Sequence, residues 1–293
     1  MTNACILISH GTVSELDEIP EFLKNIRRGH APSVDLELAV RSRYEAIGGR
    51  SPLNDIGMRL AKQVEADLGI PCAYAGRLWK PYAKHVVSSM AERGVKTIAV
   101  VPLAQFSAGV YVQHVSSVAA ELPVEIRGIA NWGLNPQLLE LFAAKIRAAH
   151  QPGSPVLFTA HSLPKFVVDA GDPYEKEVRE SVAALLEVLG PAYTGELCFQ
   201  SQGMSDGPPG KPIEWLGPTL LSTLQRFKER GERSVTIAPI GFLSDHVEVL
   251  YDLDIEARIQ CKELGLSYNR MQLLNDDPAF GKLLAGFARE ALA

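Results

Sequence analysis

The sequence predicts an α/β protein of two similarly built three-layer lobes, each on a parallel sheet. Short apolar runs alternate with longer amphipathic ones along all 293 residues. The candidate strands are residues 4–9 (ACILIS), 72–75, 97–102 (TIAVVP), 155–160 (PVLFTA), 196–200 (ELCFQ) and 234–239 (SVTIAP). Most are apolar throughout, as strands covered on both faces must be. Helix starts recur between them. Ser51-Pro52 gives a cap residue followed by proline, and Leu53, Ile56, Leu60 and Val64 then repeat at helical spacing. Asn135-Pro136 precedes Leu138, Leu139, Phe142 and Ile146 in the same way, and Asp277-Pro278 precedes the last helix. Alternation of this kind builds sheets with helices on both faces.

Proline and glycine at 151–155 (QPGSP) interrupt the periodicity, which divides the chain into lobes of residues 1–150 and 151–293. Each half opens alike, with ILISHGT in the first and LFTAHSL in the second. A second pair, TIAVVPLAQFS and VTIAPIGFLSDH, follows in the same order. Ligands of open α/β sheets bind beyond the carboxyl ends of the strands. His10, His161 and the segment 244–248 all fall at such ends, so a cleft between the lobes is the expected active site.

Composition removes several function classes. With 46% hydrophobic and 22% charged residues the chain is neither disordered nor fibrous. A net charge of −5 argues against a broad nucleic-acid-binding surface. The amino end lacks a basic n-region, and no apolar stretch approaches the ~20 residues of a membrane span. Four cysteines at 5, 72, 198 and 261 form no CxxC pair, so neither a disulfide framework nor structural zinc is expected, and a cytoplasmic setting fits.

The densest chemistry lies in GFLSDHVEVLYDLDIE, residues 241–256. A capping box explains Asp245 with Glu248, but not Glu248, Asp252 and Glu256 at successive four-residue steps. On one helix face these carboxylates repel, so the column either faces solvent or handles a cation and protons; His246 adds a nitrogen ligand near its start. His161 follows a buried strand, and a neutral imidazole beside a glutamate takes up protons near pH 7 and ligates transition metals. HxxE and HExxH spacings are absent, which favours a metal in transit. A third feature is residues 25–52, where Arg27, Arg28, Arg41, Arg43 and Tyr44 precede a Gly48-Gly49 turn and a helix start. Backbone N–H groups at such a turn, with arginine forks, fit a carboxylated ligand. No GxGxxG or Walker loop accompanies them.

Five segments together resemble the ferrochelatases, which insert ferrous iron into a porphyrin in haem synthesis. They are RYEAIGGRSPL (43–53), TAHSLP (159–164), GDPYEKEV (171–178), WLGP (215–218) and PIGFLSDHVEVLYDLDIE (239–256). The resemblance implies two Rossmann-like lobes with the porphyrin in the cleft. It implies His161 and Glu248 as the catalytic metal and proton-transfer pair, with His246, Asp252 and Glu256 completing the metal path. A positioned base of this kind contributes about 10²–10⁴-fold, and nitrogen with carboxylate ligands hold Fe²⁺ loosely enough to release it.

The family's membrane-associated members carry a long hydrophobic lip where this chain has the short, charged stretch 21–49. That stretch is similar to the branch that metallates coproporphyrin III, a substrate with four propionates. The alternatives are a protoporphyrin IX enzyme or a non-catalytic tetrapyrrole or metal-binding protein. The resemblance implies a porphyrin site that includes His10, Thr12, Arg27, Arg43, Tyr44, Ser51, His114 and Trp215. His10 and His114 stand where the branch usually has tyrosines, which makes His10 a candidate ligand to product iron. Ferrous iron is then substrate, and no resident cofactor is implied. Only Cys261 lies near the carboxyl end, so no iron–sulfur cluster is expected. The implied partners are the porphyrin and iron, with transient contacts to other haem-pathway enzymes, and neither nucleic acid nor stable membrane insertion.

Overall fold

The computed structural model describes residues 2–202 and 213–293. In chain order the elements are β1 (Asn3–Ser9), α1 (Ile19–Ile26), α2 (Val34–Ala46), α3 (Leu53–Leu68), β2 (Cys72–Gly76), α4 (Ala83–Glu92), β3 (Thr97–Pro102), α5 (Ala108–Ala119), β4 (Glu125–Gly128) and α6 (Pro136–Ala149). They continue with β5 (Val156–His161), α7 (Lys165–Asp169), α8 (Tyr174–Leu189), β6 (Gly195–Gln200), α9 (Leu220–Glu229) and β7 (Ser234–Ala238). The last are α10 (Val247–Leu250), a π-helical turn (Asp252–Ala257), α11 (Arg258–Leu264), β8 (Ser267–Arg270) and α12 (Pro278–Leu292).

The strands form two four-stranded sheets, β2-β1-β3-β4 and β6-β5-β7-β8, every pair parallel. Each half therefore repeats one order, with its opening strand second from the edge. The two sequence pairs that matched between halves, β1 with β5 and β3 with β7, occupy equivalent places. In the first unit Ala4, Ile6 and Ile8 of β1 pack against Val87 and Met90 of α4 and Val115 of α5, while α3 and α12 cover the other face. In the second unit α6 and α8 pack together against β7 and β6, and α9 with α11 lies over β6.

The expected split at 150/151 is corrected. One unit comprises Met1–Trp132, Ser244–Val247 and Asn275–Ala293, and the other comprises Gly133–Leu243 and Glu248–Leu274. The reason is side-chain burial. The α6 face of Leu138, Phe142 and Ile146 is buried, and α6 packs on α8. The α12 face, with Phe280, Leu284 and Phe287, is buried and packs on α3. The proline-glycine break at 151–155 is thus only the loop joining α6 to β5.

Local devices mostly follow the sequence. Asn135 caps α6 by accepting from the Gln137 and Leu138 amides, and Asp277 caps α12 by accepting from Ala279. The start of α3 shifts by one position, with Pro52 as the cap residue; Ser51 Oγ still accepts from the Leu53 amide at 3.4 Å. The edge strands β4 and β8 were not expected, because EIRG and SYNR carry no apolar run. Among the described residues no helix is long and apolar enough to cross a membrane.

Candidate active site

The second unit brings His161 and Glu248 together. His161 ends β5, whose residues from Val156 to Ala160 are fully or almost fully buried, so the strand delivers the imidazole to its carboxyl end. Glu248 stands in the single α-turn of α10. Gly241 permits the approach: its amide donates to the Thr159 carbonyl at 3.0 Å, and a Cβ there would lie 2.6 Å from the Ala160 Cα. Any larger residue would push the loop after β7 away from the end of β5.

His161 Nδ1 bonds the Ser162 carbonyl at 2.5 Å, which fixes the proton on that nitrogen and turns Nε2 toward Glu248. Nε2 and Glu248 Oε1 are 3.4 Å apart, with the two side chains 33% and 36% exposed. Burial alone would lower the imidazole pKa. The Glu248 charge and hydrogen bond, the Ser162 carbonyl and the Asp252 charge outweigh it and raise the value to about 9. The resting histidine is therefore an imidazolium at pH 7, which corrects the expectation of a neutral ring.

Sequence reasoning missed the groups that hold this pair. Gln200, at the end of β6 and 4% exposed, donates through Nε2 to the Glu248 carbonyl at 3.2 Å. Its Oε1 accepts from Thr159 Oγ1 at 2.6 Å. Tyr174 donates its hydroxyl to the His161 carbonyl at 3.0 Å. Ser201, in a left-handed conformation with φ 57°, donates to Asp252 Oδ2. The Gln that follows the apolar run Leu197, Cys198 and Phe199 was the available signal for Gln200.

The expected carboxylate column differs from a straight α-helix. After α10 the backbone widens, and the Glu256 amide bonds the Tyr251 carbonyl five residues back at 3.0 Å. Such π-turns are concentrated at functional sites. Asp252 is buried, at 7% exposure, so the column is not a solvated face. Asp245 lies before the helix and exchanges two bonds with Asn275, at 2.8 and 2.7 Å, in place of the expected capping box. The five expected metal ligands are not gathered: among the described residues no group of three or more His, Cys, Asp or Glu side chains converges on a metal position. His246 falls in Ser244–Val247, which clusters with the first unit. Glu256 is half-buried on the π-turn. Trp215 lies beside the His161 segment, bridged to Pro164, and the Ser162 hydroxyl donates to the next carbonyl, Leu216, at 3.0 Å.

The first unit presents a different set. His10 is exposed at the end of β1, and His114 is half-buried on α5. Thr12 Oγ1 and the Tyr44 hydroxyl are 2.8 Å apart, and Thr12, Tyr44 and Ser51 are 3%, 1% and 3% exposed. The backbone around Thr12 is pinned by Asn54, which donates to the Thr12 carbonyl at 2.7 Å and accepts from the Tyr74 hydroxyl at 2.9 Å. Tyr74 in turn meets Ser9 Oγ at 2.6 Å. Asn54 and Tyr74 carry no sequence signal, because Asn in the first turn of a helix and Tyr in a strand are common in themselves. Arg27 closes α1; Arg28 and Arg43 are exposed. Arg41 bonds the Leu16 carbonyl at 3.1 Å. The Gly48 and Gly49 amides, expected to await an anion, instead donate to the Glu45 and Tyr44 carbonyls at 3.0 and 2.8 Å.

The ferrochelatase family pattern matches residues 2–292. The chain belongs to the ferrochelatase family. A ferrochelatase of Acidobacterium capsulatum is 36% identical, over 99% of this chain and 94% of that one. A coproporphyrin III ferrochelatase of Mycobacterium ulcerans is 32% identical, over 98% and 86% of the two chains. The solved structure of SirB from Bacillus subtilis with Fe³⁺ shares the fold, with a TM-score of 0.64 at 14% identity and coverage of 100% and 96%. Family membership places the chain among the metal chelatases of haem synthesis.

Proposed function

We propose that this ferrochelatase-family chain inserts ferrous iron into coproporphyrin III, releasing two protons and giving iron coproporphyrin III. The observation that carries this reading is the His161–Glu248 pair at 3.4 Å. In the overall change Fe²⁺ replaces the two pyrrole N–H protons, so the site must hold an acid–base pair that tolerates a passing dication. The imidazolium–carboxylate pair holds one proton at rest. An approaching dication repels the imidazolium and favours loss of that proton, because metal binding and protonation compete for one nitrogen. Nε2 then accepts one pyrrole proton and Glu248 the other; where Nε2 coordinates iron instead, both pyrrole protons leave in turn through Glu248. Asp252 and Glu256 on the π-turn supply carboxylates for protons leaving the pair, and His246 a further nitrogen.

Coproporphyrin III carries four propionates, and the preference for it rests on the charged stretch holding Arg27, Arg28 and Arg43 and on relatives named for that substrate. The same reading assigns His10 as ligand to product iron, with Thr12, Tyr44, Ser51, His114 and Trp215 in the porphyrin site. It requires no resident cofactor or iron–sulfur cluster and places the enzyme in the cytoplasm. The test is kcat/KM for iron insertion into coproporphyrin III and into protoporphyrin IX. A clear preference for the four-propionate substrate is expected. Preference for protoporphyrin IX would replace the substrate assignment, and absence of turnover with both would leave a tetrapyrrole or metal binder. A product spectrum unchanged by His10→Ala would remove the axial role of His10.

A further inference from the structure

Arg77 follows Gly76 at the carboxyl end of β2, and its backbone is fixed there. The Arg77 amide donates to the Ser9 carbonyl at 2.9 Å, and the next amide, Leu78, donates to the His10 carbonyl at 2.9 Å. The half-buried side chain carries its guanidinium 5.8 Å from the centre of the Tyr111 ring on α5. Other arginines of the same unit have acidic partners: Arg50 with Asp55, Arg59 with Asp276, Arg127 with Glu125 and Arg289 with Asp67. Arg77 forms neither an ion pair nor a side-chain hydrogen bond among the described residues; its guanidinium lies over the tyrosine face. A guanidinium drawn partly out of water, with its forked donors unused, is poised for a planar anion.

His114 lies one turn after Tyr111 on the same helix. Burial, and then the Arg77 charge, hold its pKa below the ordinary histidine value. The positive charge in this corner therefore belongs to Arg77, and His114 is a neutral ring that offers an N–H donor. Both side chains lie in the unit where β1 and β2 end, the end of a parallel sheet at which ligands bind.

We infer that Arg77, backed by Tyr111 and flanked by His114, is a carboxylate-binding subsite that receives a propionate of the porphyrin. The inference rests on the porphyrin reading above and adds a specificity-determining residue to it. A charge-assisted fork contributes more than a neutral hydrogen bond, so its loss reads as a weakening of about tenfold or more.

The experiment is fluorescence titration of the full chain and of Arg77→Gln and Arg77→Lys with two probes, coproporphyrin III and its tetramethyl ester. Arg77→Gln is expected to weaken coproporphyrin III binding about tenfold and leave the ester unchanged, with Arg77→Lys recovering part of the loss. Equal binding of coproporphyrin III by Arg77→Gln and the parent chain would overturn the subsite and leave the porphyrin function standing. Equal weakening of both probes would overturn it as well, because the role would then be packing. If the parent chain bound neither porphyrin, the functional reading would fall and the subsite with it.

Discussion

The carboxyl ends of β1 and β5 begin from one sequence device, an apolar strand followed by histidine, and they differ in charge. At β5 the imidazole faces Glu248 with Asp252 near enough to raise its pKa to about 9. At β1 the residues around His10 are held by uncharged groups: Ser9 with Tyr74, Tyr74 with Asn54, Asn54 with the Thr12 carbonyl, and Thr12 with Tyr44. Burial pushes the Tyr74 phenol pKa up, so it remains a neutral hydroxyl. A neutral buried network fixes a backbone without responding to pH, whereas a partly exposed ion pair exchanges protons. One scaffold, used twice, thus carries a neutral hydrogen-bonded network at one strand end and an ion pair at the other.

The sharpest way to break this contrast is His161→Ala. Iron insertion should fall by about 10²–10⁴-fold while porphyrin binding, followed by fluorescence, stays near that of the parent chain. Near-normal turnover would dissolve the distinction between the two strand ends. Asn54→Leu tests the other strand end. It removes the donor to the buried Thr12 carbonyl and leaves the Tyr74 hydroxyl with Ser9 alone, and an unsatisfied buried polar group costs about 1–3 kcal/mol. Urea unfolding should show a loss of about 2 kcal/mol or more, and an unchanged midpoint would show that the network is not structural.

The smallest effect concerns pH. The folded His161 pKa, about 9, lies above the ordinary histidine value of 6.5. The stabilisation from the pair is therefore complete below about pH 6.5 and is lost as pH rises through about 9. Both side chains are about one-third exposed, so solvent screening reduces it to about 1 kcal/mol. The stability difference between the parent chain and His161→Ala should shrink by that amount between pH 6 and pH 10. A difference that held constant would mean the pair is not charged. An NMR titration of His161 in Glu248→Gln should show its pKa displaced downward.

Much of the fold was legible because buried parallel strands must be apolar on both faces. That requirement exposed β1, β3, β5, β6 and β7, and the cap pairs Asn135-Pro136 and Asp277-Pro278 placed two helix starts. The strands β4 and β8 escaped because neither has a fully buried residue, whereas the opposite edge strands β2 and β6 each bury a run and show it in the sequence. The division into units escaped too, because helix α12 buries its face against α3 more than two hundred residues earlier in the chain. At the candidate site, His161 and Glu248 were legible from residue type and motif. Gln200, Ser201, Asn54 and Arg77 were not, because their roles depend on which backbone carbonyls or side chains stand opposite them.

The sequence by itself determined the repeated strand–helix pattern, the strand-end histidines, the acidic segment and the family they resemble. Local periodicity and chemistry-bearing residue types are properties of neighbouring positions in the chain. Only the tertiary structure decided that His161 meets Glu248 as an imidazolium, that the helix widens into a π-turn at Asp252, and that the Gly48 and Gly49 amides are already used. Each of these depends on burial and on the charges brought near from distant segments, and a pKa or a hydrogen-bond partner exists only once those groups share a space.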